Sequence, residues 1–409
     1  MERRIRFHLR SREVTVMKHG TILLCLALLS IAGFAQTTAS KPMGTVPFEL
    51  VDNRVVVAVM LNGKGPFQMI LDTGAHFAVS PETAEKIGAR KETEKTMEGV
   101  GEKKVPSGTT HINEAVLGPV QFKNQPAEIL EMDDMPPVFG SVTIDGVLGA
   151  EVFKNYVVSH DYQKKELTFY DPKTFSYNGG GESIPFEWEG TIPVIHATLD
   201  GVAGKFFVDT GARSALILFG PFVAQNHLDQ KYDAHVQGIS GWGLGGPVRS
   251  YMVRTKDFTF GNFSLRGLIA RLTLNKSGAT LGASEAGLIG PDVLKQFVVI
   301  CDYARQRLIF EKNSWFGRHD SYDRAGLWIA QKGNAFEVLD VISGGPADHA
   351  GLKAGDIVLA VNGKPTSDLI LPKVRDGWKY DPPGTLVRLE VQTASGEKRK
   401  AEFELKDLV

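Results

Sequence analysis

Part of this chain occurs twice, and the repetition limits the folds that it can adopt. The segment 46–63 aligns without gaps to 184–201, with Pro-Phe-Glu near the start of both copies and Gly at the end of both. The segment 145–170 aligns in the same way to 286–311, with 10 identities in 26 positions. A unit that recurs in this order indicates two copies of one structural module. We therefore expect two similar domains that follow each other in the chain.

Each copy also contains the tetrapeptide Asp-Thr-Gly-Ala directly after a run of large apolar residues. It occurs at 72–75, after the apolar residues 69–71, and at 209–212, after the apolar residues 206–208. Such a run predicts a buried strand. A single carboxylate at the end of a buried strand is unfavourable unless another group compensates it. The matching positions in the repeat therefore indicate that the two acids act together.

The rest of each copy predicts short strands, because apolar residues recur with a period of two between Gly, Asn and Pro. The helical signal is short and lies at 150–155 and at 291–296, the latter with Pro in its first turn. The segment 173–183 contains three successive glycines and is predicted to be a linker. We therefore expect a first lobe at 46–172 and a second lobe at 184–312, both mostly β.

The N-terminal segment has the pattern of a secretory signal peptide. A short basic start at 17–20 precedes the apolar residues 21–31, and small residues lead up to a cleavage position after Ala35. The apolar run is too short to predict a membrane span. We expect a signal peptide at 1–35, in which 1–16 would be an over-called start, and a periplasmic or secreted protein with no stable membrane span.

Composition limits the partners that we expect. The chain has 409 residues, of which 43% are hydrophobic, with 46 basic and 47 acidic residues. A net charge near zero argues against nucleic acid as the main partner. The histidines show no spacing typical of metal ligands, and no phosphate-binding loop occurs. We therefore expect no metal and no other cofactor.

The two copies resemble the aspartic peptidases, specifically retropepsin-like lobes fused in tandem as in many bacterial proteins. The resemblance rests on the apolar run with Asp-Thr-Gly-Ala and on a later apolar pair followed by Gly, at 147–149 and 288–290. It covers nearly all of 46–312. It implies two acid-protease β lobes forming a pepsin-like bilobal unit, in which the second motif crosses beneath the catalytic loop.

This resemblance implies that Asp72 and Asp209 are the catalytic residues and lie side by side at the lobe junction. Two adjacent carboxyl groups hold one proton between them, as the aspartic proteases illustrate. The ionised member would take a proton from water while the protonated member donates to the scissile carbonyl oxygen, with no acyl-enzyme. The near-symmetric sequence does not assign the two roles.

The resemblance also implies supporting roles for the residues that follow each aspartate. Thr73 and Thr210 would hydrogen-bond across the junction, or else simply fill a turn. Gly74 and Gly211 would let the backbone donate N–H groups to the carboxylates. Because both aspartates lie in one chain, we expect a monomer to suffice; a homodimer with one site per pair is the alternative.

Glycine-rich segments after each motif are candidates for flaps that cover a bound substrate. The first contains Gly99 and Gly101, and the second contains Gly241, Trp242 and Gly243. Trp242 would either pack on a bound peptide or lie tucked into an ordinary hairpin. The first copy has no flap tyrosine, so the sequence does not decide which flap dominates.

The C-terminal part, 322–409, resembles a small α+β PDZ domain. Its segment 344–363 has a Pro-Ala helix start, a Gly turn and a strand that ends in Asn-Gly. In PDZ domains a loop of backbone N–H groups binds a peptide C-terminus. By resemblance that loop consists of Gly326, Leu327, Trp328 and Ile329. The domain would bind a peptide or C-terminal ligand, or serve only in packing or assembly.

These features together predict an aspartic endopeptidase that acts on polypeptide substrates, with a PDZ domain for peptide recognition or regulation. The alternative is a non-catalytic peptide-binding or scaffold protein that retains the acid-protease fold. The intact Asp-Thr-Gly in both copies favours the enzyme, because a binding protein has little need for two adjacent acids.

Overall fold

The computed structural model describes residues 40–131, 136–281 and 284–409. The predicted signal peptide at 1–35 lies outside these residues. Within the described ranges, no helix is long and apolar enough to cross a membrane. The described residues form four β-sheets and eight short α-helices.

The first copy contributes eleven strands and three helices. The strands are β1 (Gly44–Pro47), β2 (Glu49–Val51), β3 (Arg54–Leu61), β4 (Lys64–Leu71), β5 (Ala78–Val79), β6 (Lys95–Glu98), β7 (Lys104–Leu117), β8 (Val120–Leu130), β9 (Gly146–Leu148), β10 (Val157–Asp161) and β11 (Glu166–Tyr170). The helices are α1 (Pro81–Ile87), α2 (Pro136–Phe139) and α3 (Glu151–Asn155). Strands β2 to β9 form one sheet in the order β2-β3-β4-β9-β5-β8-β7-β6, which we call the first lobe.

The second copy repeats this plan. Its strands are β12 (Glu182–Pro185), β13 (Glu187–Glu189), β14 (Ile192–Leu199), β15 (Val202–Val208), β16 (Leu216–Leu218), β17 (Gln237–Gly243), β18 (Gly246–Arg254), β19 (Asp257–Phe260), β20 (Phe263–Arg266), β21 (Ile269–Thr273), β22 (Gly287–Ile289), β23 (Phe297–Asp302) and β24 (Arg307–Lys312). Its helices are α4 (Gly220–Gln225), α5 (Leu228–Lys231) and α6 (Pro291–Leu294). Strands β13 to β22 form the sheet of the second lobe. Strand β12 begins within the segment predicted to be a linker.

A six-stranded sheet joins the two copies, in the order β1-β11-β10-β23-β24-β12. Its central strands pair antiparallel, with Val158 opposite Cys301 and His160 opposite Val299. In the repeat alignment Val158 corresponds to Val299 and His160 to Cys301. The pairing is therefore unchanged when the copies are exchanged, and an approximate two-fold axis relates the lobes.

The apolar strand β3 is buried on both faces. Val55 and Val57 lie in the main core, whereas Val56 packs with Ile70 and Phe139 in a second apolar cluster. Burial on both sides explains why this strand is an almost continuous apolar run. Phe139 belongs to α2, so this helix packs on the face of the first-lobe sheet that Val56 and Ile70 share.

The C-terminal domain has its own apolar core and its own sheet. Its strands are β25 (Leu327–Lys332), β26 (Ala335–Val341), β27 (Ile357–Val361), β28 (Lys364–Pro365), β29 (Leu386–Gln392) and β30 (Lys398–Glu404), and its helices are α7 (Pro346–His349) and α8 (Leu371–Tyr380). The sheet order is β25-β26-β27-β29-β30, which leaves β25 at an edge. The predicted fold class, two mostly β lobes and a small α+β domain, is confirmed.

Candidate active site

The two aspartates lie at the ends of equivalent strands where the lobes meet. Strand β4 pairs in parallel with β9, and β15 pairs in parallel with β22. The N–H of Asp72 donates to the carbonyl of Leu148 at 2.9 Å, and the N–H of Asp209 donates to that of Ile289 at 3.0 Å. The two carboxyl groups are half-buried, and they lie close enough for each to shift the pKa of the other. The structure therefore brings together the two acids that the repeat singles out.

Thr73 and Thr210 hold the two Asp-Thr-Gly loops together by reciprocal hydrogen bonds. Each backbone N–H donates to the Oγ1 of the other threonine at 3.0 Å. The Oγ1 of Thr73 donates to the carbonyl of Val208 at 2.7 Å, and that of Thr210 donates to the carbonyl of Leu71 at 2.9 Å. Both threonines are 1% exposed. These four buried bonds all cross between the copies, so they fix the separation of the aspartates.

The glycines after the threonines give the backbone access to the carboxyl groups. Gly74 N–H donates to Oδ1 of Asp72 at 2.7 Å; Gly211 and Ala212 N–H donate to Oδ1 of Asp209 at 2.8 and 3.1 Å. A Cβ atom added at Gly211 would lie 2.0 Å from Oδ2 of Asp72, whereas one at Gly74 would lie 3.2 Å from Oδ1 of Asp209. The site is therefore not fully symmetric, and position 211 has no room for a side chain.

The same asymmetry affects the protonation of the pair. Burial raises the pKa of Asp72, and repulsion by the carboxylate of Asp209 raises it further. Burial also raises the pKa of Asp209, but the N–H groups of Gly211 and Ala212 and the hydrogen bond from Asp72 lower it. When the pair holds one proton, the donors around Asp209 thus favour the proton on Asp72.

A cavity of about 320 Å³ lies above the pair, between the lobes. Apolar side chains from both lobes dominate its wall; they include Ile70, Met97, Leu130, Val147, Ile217 and Leu288. A concave apolar pocket with a few polar groups at its base is the usual form of a binding site. In the described ranges, no group of three or more His, Cys, Asp or Glu side chains is placed to hold a metal ion.

The two predicted flap segments roof this cavity and touch each other. Gly101 N–H donates to the carbonyl of Leu244 at 2.9 Å, at the tip of the β17–β18 hairpin. Gly99 accepts a bond from the N–H of Ala279 at 2.9 Å. A Cβ at Gly243 would lie 2.4 Å from Cγ2 of Val100. The roof is thus closed by backbone contacts that leave no room for side chains at these glycines.

Trp242 lies in the β17–β18 hairpin, which we call the flap hairpin. Trp242 lines the cavity, and it also packs against a buried cluster that contains Val138, Ile239 and Trp328. Gly241 lies at a β-bulge, and no atom lies within 4 Å of its Cβ position. The tryptophan therefore joins the cleft to the C-terminal domain.

Arg54, which sequence reasoning missed, binds both the second Asp-Thr-Gly loop and the flap hairpin. Its Nε donates to the carbonyl of Gly211 at 2.8 Å, and its Nη2 donates to the carbonyl of Trp242 at 3.1 Å. Its charge also favours the ionised form of both Asp72 and Asp209 and so acts to lower their pKa values. One first-lobe side chain thus fixes the floor and the roof of the cleft.

Asp52 is the shared partner of three arginines. Its carboxylate, 1% exposed, accepts bonds from Arg54 at 2.5 Å, from Arg213 at 2.9 and 3.0 Å, and from Arg375 of α8 at 2.6 Å. Burial alone would raise the pKa of Asp52, but the three guanidinium groups hold it well below its usual range. We call these four residues the Asp52 cluster; it links the first lobe, the second lobe and the C-terminal domain.

One feature of the sequence, a difference between the two copies, indicates this cluster. Arg54 opens an otherwise apolar strand, and the repeat alignment places Ile192 at the same position of the second copy. Asp52 and Asn53 form the turn before it, and both have left-handed backbone angles, with φ of 49° and 67°. A charged residue where the other copy has an apolar one indicates a feature that belongs to the first lobe alone.

The predicted PDZ loop lies beneath the flap hairpin. Its residues are all buried: Gly326, Leu327, Trp328 and Ile329. The ring of Trp328 lies between two cations, with the Cζ atoms of Arg213 and Arg375 each 5.0 Å from its centre. The structure therefore places this loop against the protease lobes.

Two protein-family models match parts of this chain. Residues 57–152 match the family model described as aspartyl protease, and residues 337–393 match a PDZ domain model. Similar solved structures include an aspartic proteinase from Irpex lacteus, with 16% identity and a TM-score of 0.46, covering 67% of this chain and 98% of that one. No curated protein matches the sequence. The chain therefore contains an aspartyl protease domain, whose matched segment includes Asp72, and a PDZ domain.

Proposed function

We propose that the protein is an aspartic endopeptidase that hydrolyses peptide bonds with Asp72 and Asp209. The observation that carries this proposal is the pair of half-buried, electrostatically coupled carboxyl groups, whose loops are joined by the reciprocal bonds of Thr73 and Thr210. The cavity above the pair is lined from both lobes. A binding protein has no need of two acids held in contact at the cost of burying them.

In this mechanism Asp209 is the base and Asp72 is the acid. The ionised Asp209 takes a proton from a water molecule, and the water oxygen adds to the scissile carbonyl carbon. Asp72 gives its proton to the carbonyl oxygen, which produces a neutral tetrahedral diol. Asp209 then gives the proton that it took from water to the amide nitrogen, and the C–N bond breaks. One diol hydroxyl returns its proton to Asp72, so the products are a carboxylic acid and an amine. No covalent bond to the enzyme forms.

The roof of the cavity implies that the flaps open to admit a polypeptide. The backbone bonds from Gly101 to Leu244 and from Lys103 to Gly245 close the space above the pair. Entry of a chain requires these bonds to break, and their return would exclude water from the reacting atoms. Opening of the flap hairpin is therefore part of the proposed catalytic cycle.

Both acids come from one polypeptide, so we propose that the monomer is the active form. The signal-like segment at 1–35 supports export to the periplasm or beyond the cell. The PDZ domain contacts the flap hairpin directly, which supports a regulatory role for it within the enzyme. Polypeptides remain the proposed substrates.

The proposal is tested by incubating the purified protein with a peptide library from acidic to neutral pH and mapping new amino termini by mass spectrometry. A parallel thermal unfolding experiment adds a pepstatin-type inhibitor, which should raise Tm if it binds the native cleft. We expect both cleavage and the rise in Tm. A rise in Tm without any cleavage would support the non-catalytic peptide-binding protein instead, and the absence of both would contradict a formed protease cleft.

A further inference from the structure

A PDZ domain binds a peptide by adding it as a strand to a free sheet edge, with the peptide carboxylate on backbone N–H groups. In this chain the corresponding edge strand is β25, and the corresponding N–H groups are those of the predicted loop that includes Gly326 and Leu327. Both features are occupied by residues of the same chain.

The edge of β25 is covered by residues 138–140 of the first lobe. Arg375 of α8 donates from Nη2 to the carbonyl of Val138 at 2.7 Å, and the side chain of Val138 packs with Trp328 of β25. A Cβ at Gly140 would lie 2.9 Å from Cβ of Leu371 in α8 and 3.3 Å from Oε1 of Gln331 in β25. This segment, which we call the inner segment, therefore lies between β25 and α8.

The N–H groups of the loop are bound by a carboxylate. Oδ1 of Asp323 accepts the N–H of Gly326 at 2.8 Å and that of Leu327 at 3.3 Å. Two successive N–H groups on one carboxylate oxygen resemble the contact that the loop would make with a peptide C-terminus. Burial raises the pKa of Asp323 to about 6, while these N–H groups favour its ionised form.

The occupied side of the PDZ domain faces the flap hairpin. Both backbone groups of Ile239 bind PDZ residues: its N–H donates to Oδ2 of Asp340 at 2.6 Å, and its carbonyl accepts from Tyr322 at 3.1 Å. Arg249, in the other strand of the hairpin, donates to Oδ1 of Asp340 at 3.2 Å. The ring of Trp328 shares a cluster with Ile239. Side chains of the PDZ domain thus bind the backbone of the flap hairpin by hydrogen bonds and also contact it by apolar packing.

We infer that the peptide groove of the PDZ domain takes an internal ligand, the inner segment together with the carboxylate of Asp323, and that the docked domain positions the flap hairpin. The ligand is thus part of this chain, and a peptide C-terminus from another molecule finds the groove filled. The role in positioning the flap rests on the proposed peptidase function; the occupancy of the groove does not.

Two substitutions release the two parts of the internal ligand. Asp323→Ala frees the N–H groups of Gly326 and Leu327. Gly140→Ala adds a Cβ against Leu371 at a residue whose φ is +66°. The matched control is Gly333→Ala, since Gly333 has a φ of +58° and nothing within 4 Å of its Cβ position. The control carries the same backbone strain without the contact.

The first readout is fluorescence anisotropy with a labelled short peptide that ends in an apolar residue with a free carboxylate, and with its amidated form. We expect the wild type and Gly333→Ala to show no preference for the free-carboxylate form, because binding in the cleft between the lobes does not require a peptide carboxylate. The double variant Asp323→Ala/Gly140→Ala should bind the free-carboxylate peptide at least tenfold more tightly than the amidated one. A preference of the wild type for the free-carboxylate peptide would overturn the inference, as would a folded double variant that shows no such preference.

The second readout is hydrogen exchange of the flap hairpin, which requires no catalytic activity. We expect Gly140→Ala to raise the exchange rate of backbone amides in β17 and β18 at least tenfold, whereas Gly333→Ala leaves it at the wild-type value. If Gly140→Ala does not fold, Val138→Ala takes its place, because it shortens the side chain that packs on Trp328 without straining the backbone. Unchanged exchange in a folded variant would contradict the positioning role.

Discussion

Arg375 donates to the carboxylate of Asp52 at 2.6 Å although 323 residues separate them in the sequence. Both side chains are buried, with 3% and 1% exposed. Arg54 extends the contact to the carbonyl of Gly211 beside the catalytic pair. Helix α8 of the PDZ domain is therefore connected to the second Asp-Thr-Gly loop through the carboxylate of Asp52 and the guanidinium of Arg54.

Replacing that carboxylate should destabilise the protein and impair catalysis. Asp52→Asn leaves three guanidinium groups without their charged partner, and breaking a buried ion pair typically costs about 3–5 kcal/mol. The matched control is Asp302→Asn, since Asp302 is also fully buried and pairs with Arg305 and Arg307. Urea unfolding should show a lower free energy of unfolding for both variants. After correction for the fraction of folded protein, kcat/KM should fall only for Asp52→Asn. Equal kinetic effects would contradict the link to the catalytic loop.

The two threonines should behave as one unit. Thr73→Val and Thr210→Val each remove a hydroxyl group and leave a buried N–H without an acceptor, at about 1–3 kcal/mol for each unsatisfied group. Because loss of one hydroxyl loosens the junction that also holds the bonds of the other, the double variant should lose less stability than the sum of the single variants. Thr73→Ser is the control, since it keeps the hydroxyl. Strictly additive free energies of unfolding would show that the threonines do not interact.

The two motif glycines should differ in their tolerance of alanine. The added Cβ would lie 2.0 Å from a carboxyl oxygen in Gly211→Ala but 3.2 Å in Gly74→Ala. The first contact forces the pair apart, whereas a shift of a few tenths of an ångström accommodates the second. We expect a much larger loss of kcat in Gly211→Ala, with Gly180→Ala unaffected because nothing lies within 4 Å of its Cβ position. Equal losses at 74 and 211 would argue against the asymmetric site.

Because the pair titrates, it should make the stability of the folded protein decrease as pH rises. Burial raises the pKa of Asp72 in the folded state, so above the unfolded pKa of about 3.9 the folded state binds more protons than the unfolded state. The contribution of Asp72 to stability therefore falls as pH rises from that value, by about 1.4 kcal/mol for each unit by which its pKa is raised. Asp72→Asn cannot lose a proton at this position. The free energy of unfolding of the variant relative to that of the wild type should therefore increase from acidic to neutral pH.

The Asp52 cluster supplies a control of opposite sign. The guanidinium groups lower the pKa of Asp52, so its stabilisation is present above the unfolded pKa and is lost as pH falls below it. The deficit of Asp52→Asn relative to the wild type should therefore shrink in acid. Denaturant unfolding at several pH values measures both differences, and a pH-independent difference for Asp72→Asn would contradict burial of the pair.

The fold class could be predicted because it rests on local patterns. The period-two apolar residues and the repeat indicated two β lobes, and the segment 344–363 indicated the PDZ domain. The repeat also indicated which aspartates correspond to each other. The structure places these two residues in contact, and their catalytic role stays a prediction.

The docking of the PDZ domain could not be read from the sequence. Its contacts join single residues of separate modules, such as Val138 with Trp328 and Ile239 with Asp340, and no period or repeat relates such positions. The resemblance to PDZ domains predicted that the loop with Gly326 binds the carboxylate of another peptide. The contact with Asp323 depends on backbone geometry at the start of the domain, which the resemblance does not describe.

The central claim is that Asp72 and Asp209 together hydrolyse peptide bonds. The most direct measurement compares kcat on one defined peptide for the wild type, Asp72→Asn and Asp209→Asn, with Asp229→Asn as a control at an exposed aspartate. Each dyad variant should lose at least about 10²–10⁴-fold, the usual contribution of general acid–base catalysis, while its thermal unfolding shows a folded protein. The control should keep the wild-type rate. Wild-type turnover in either dyad variant would contradict the account.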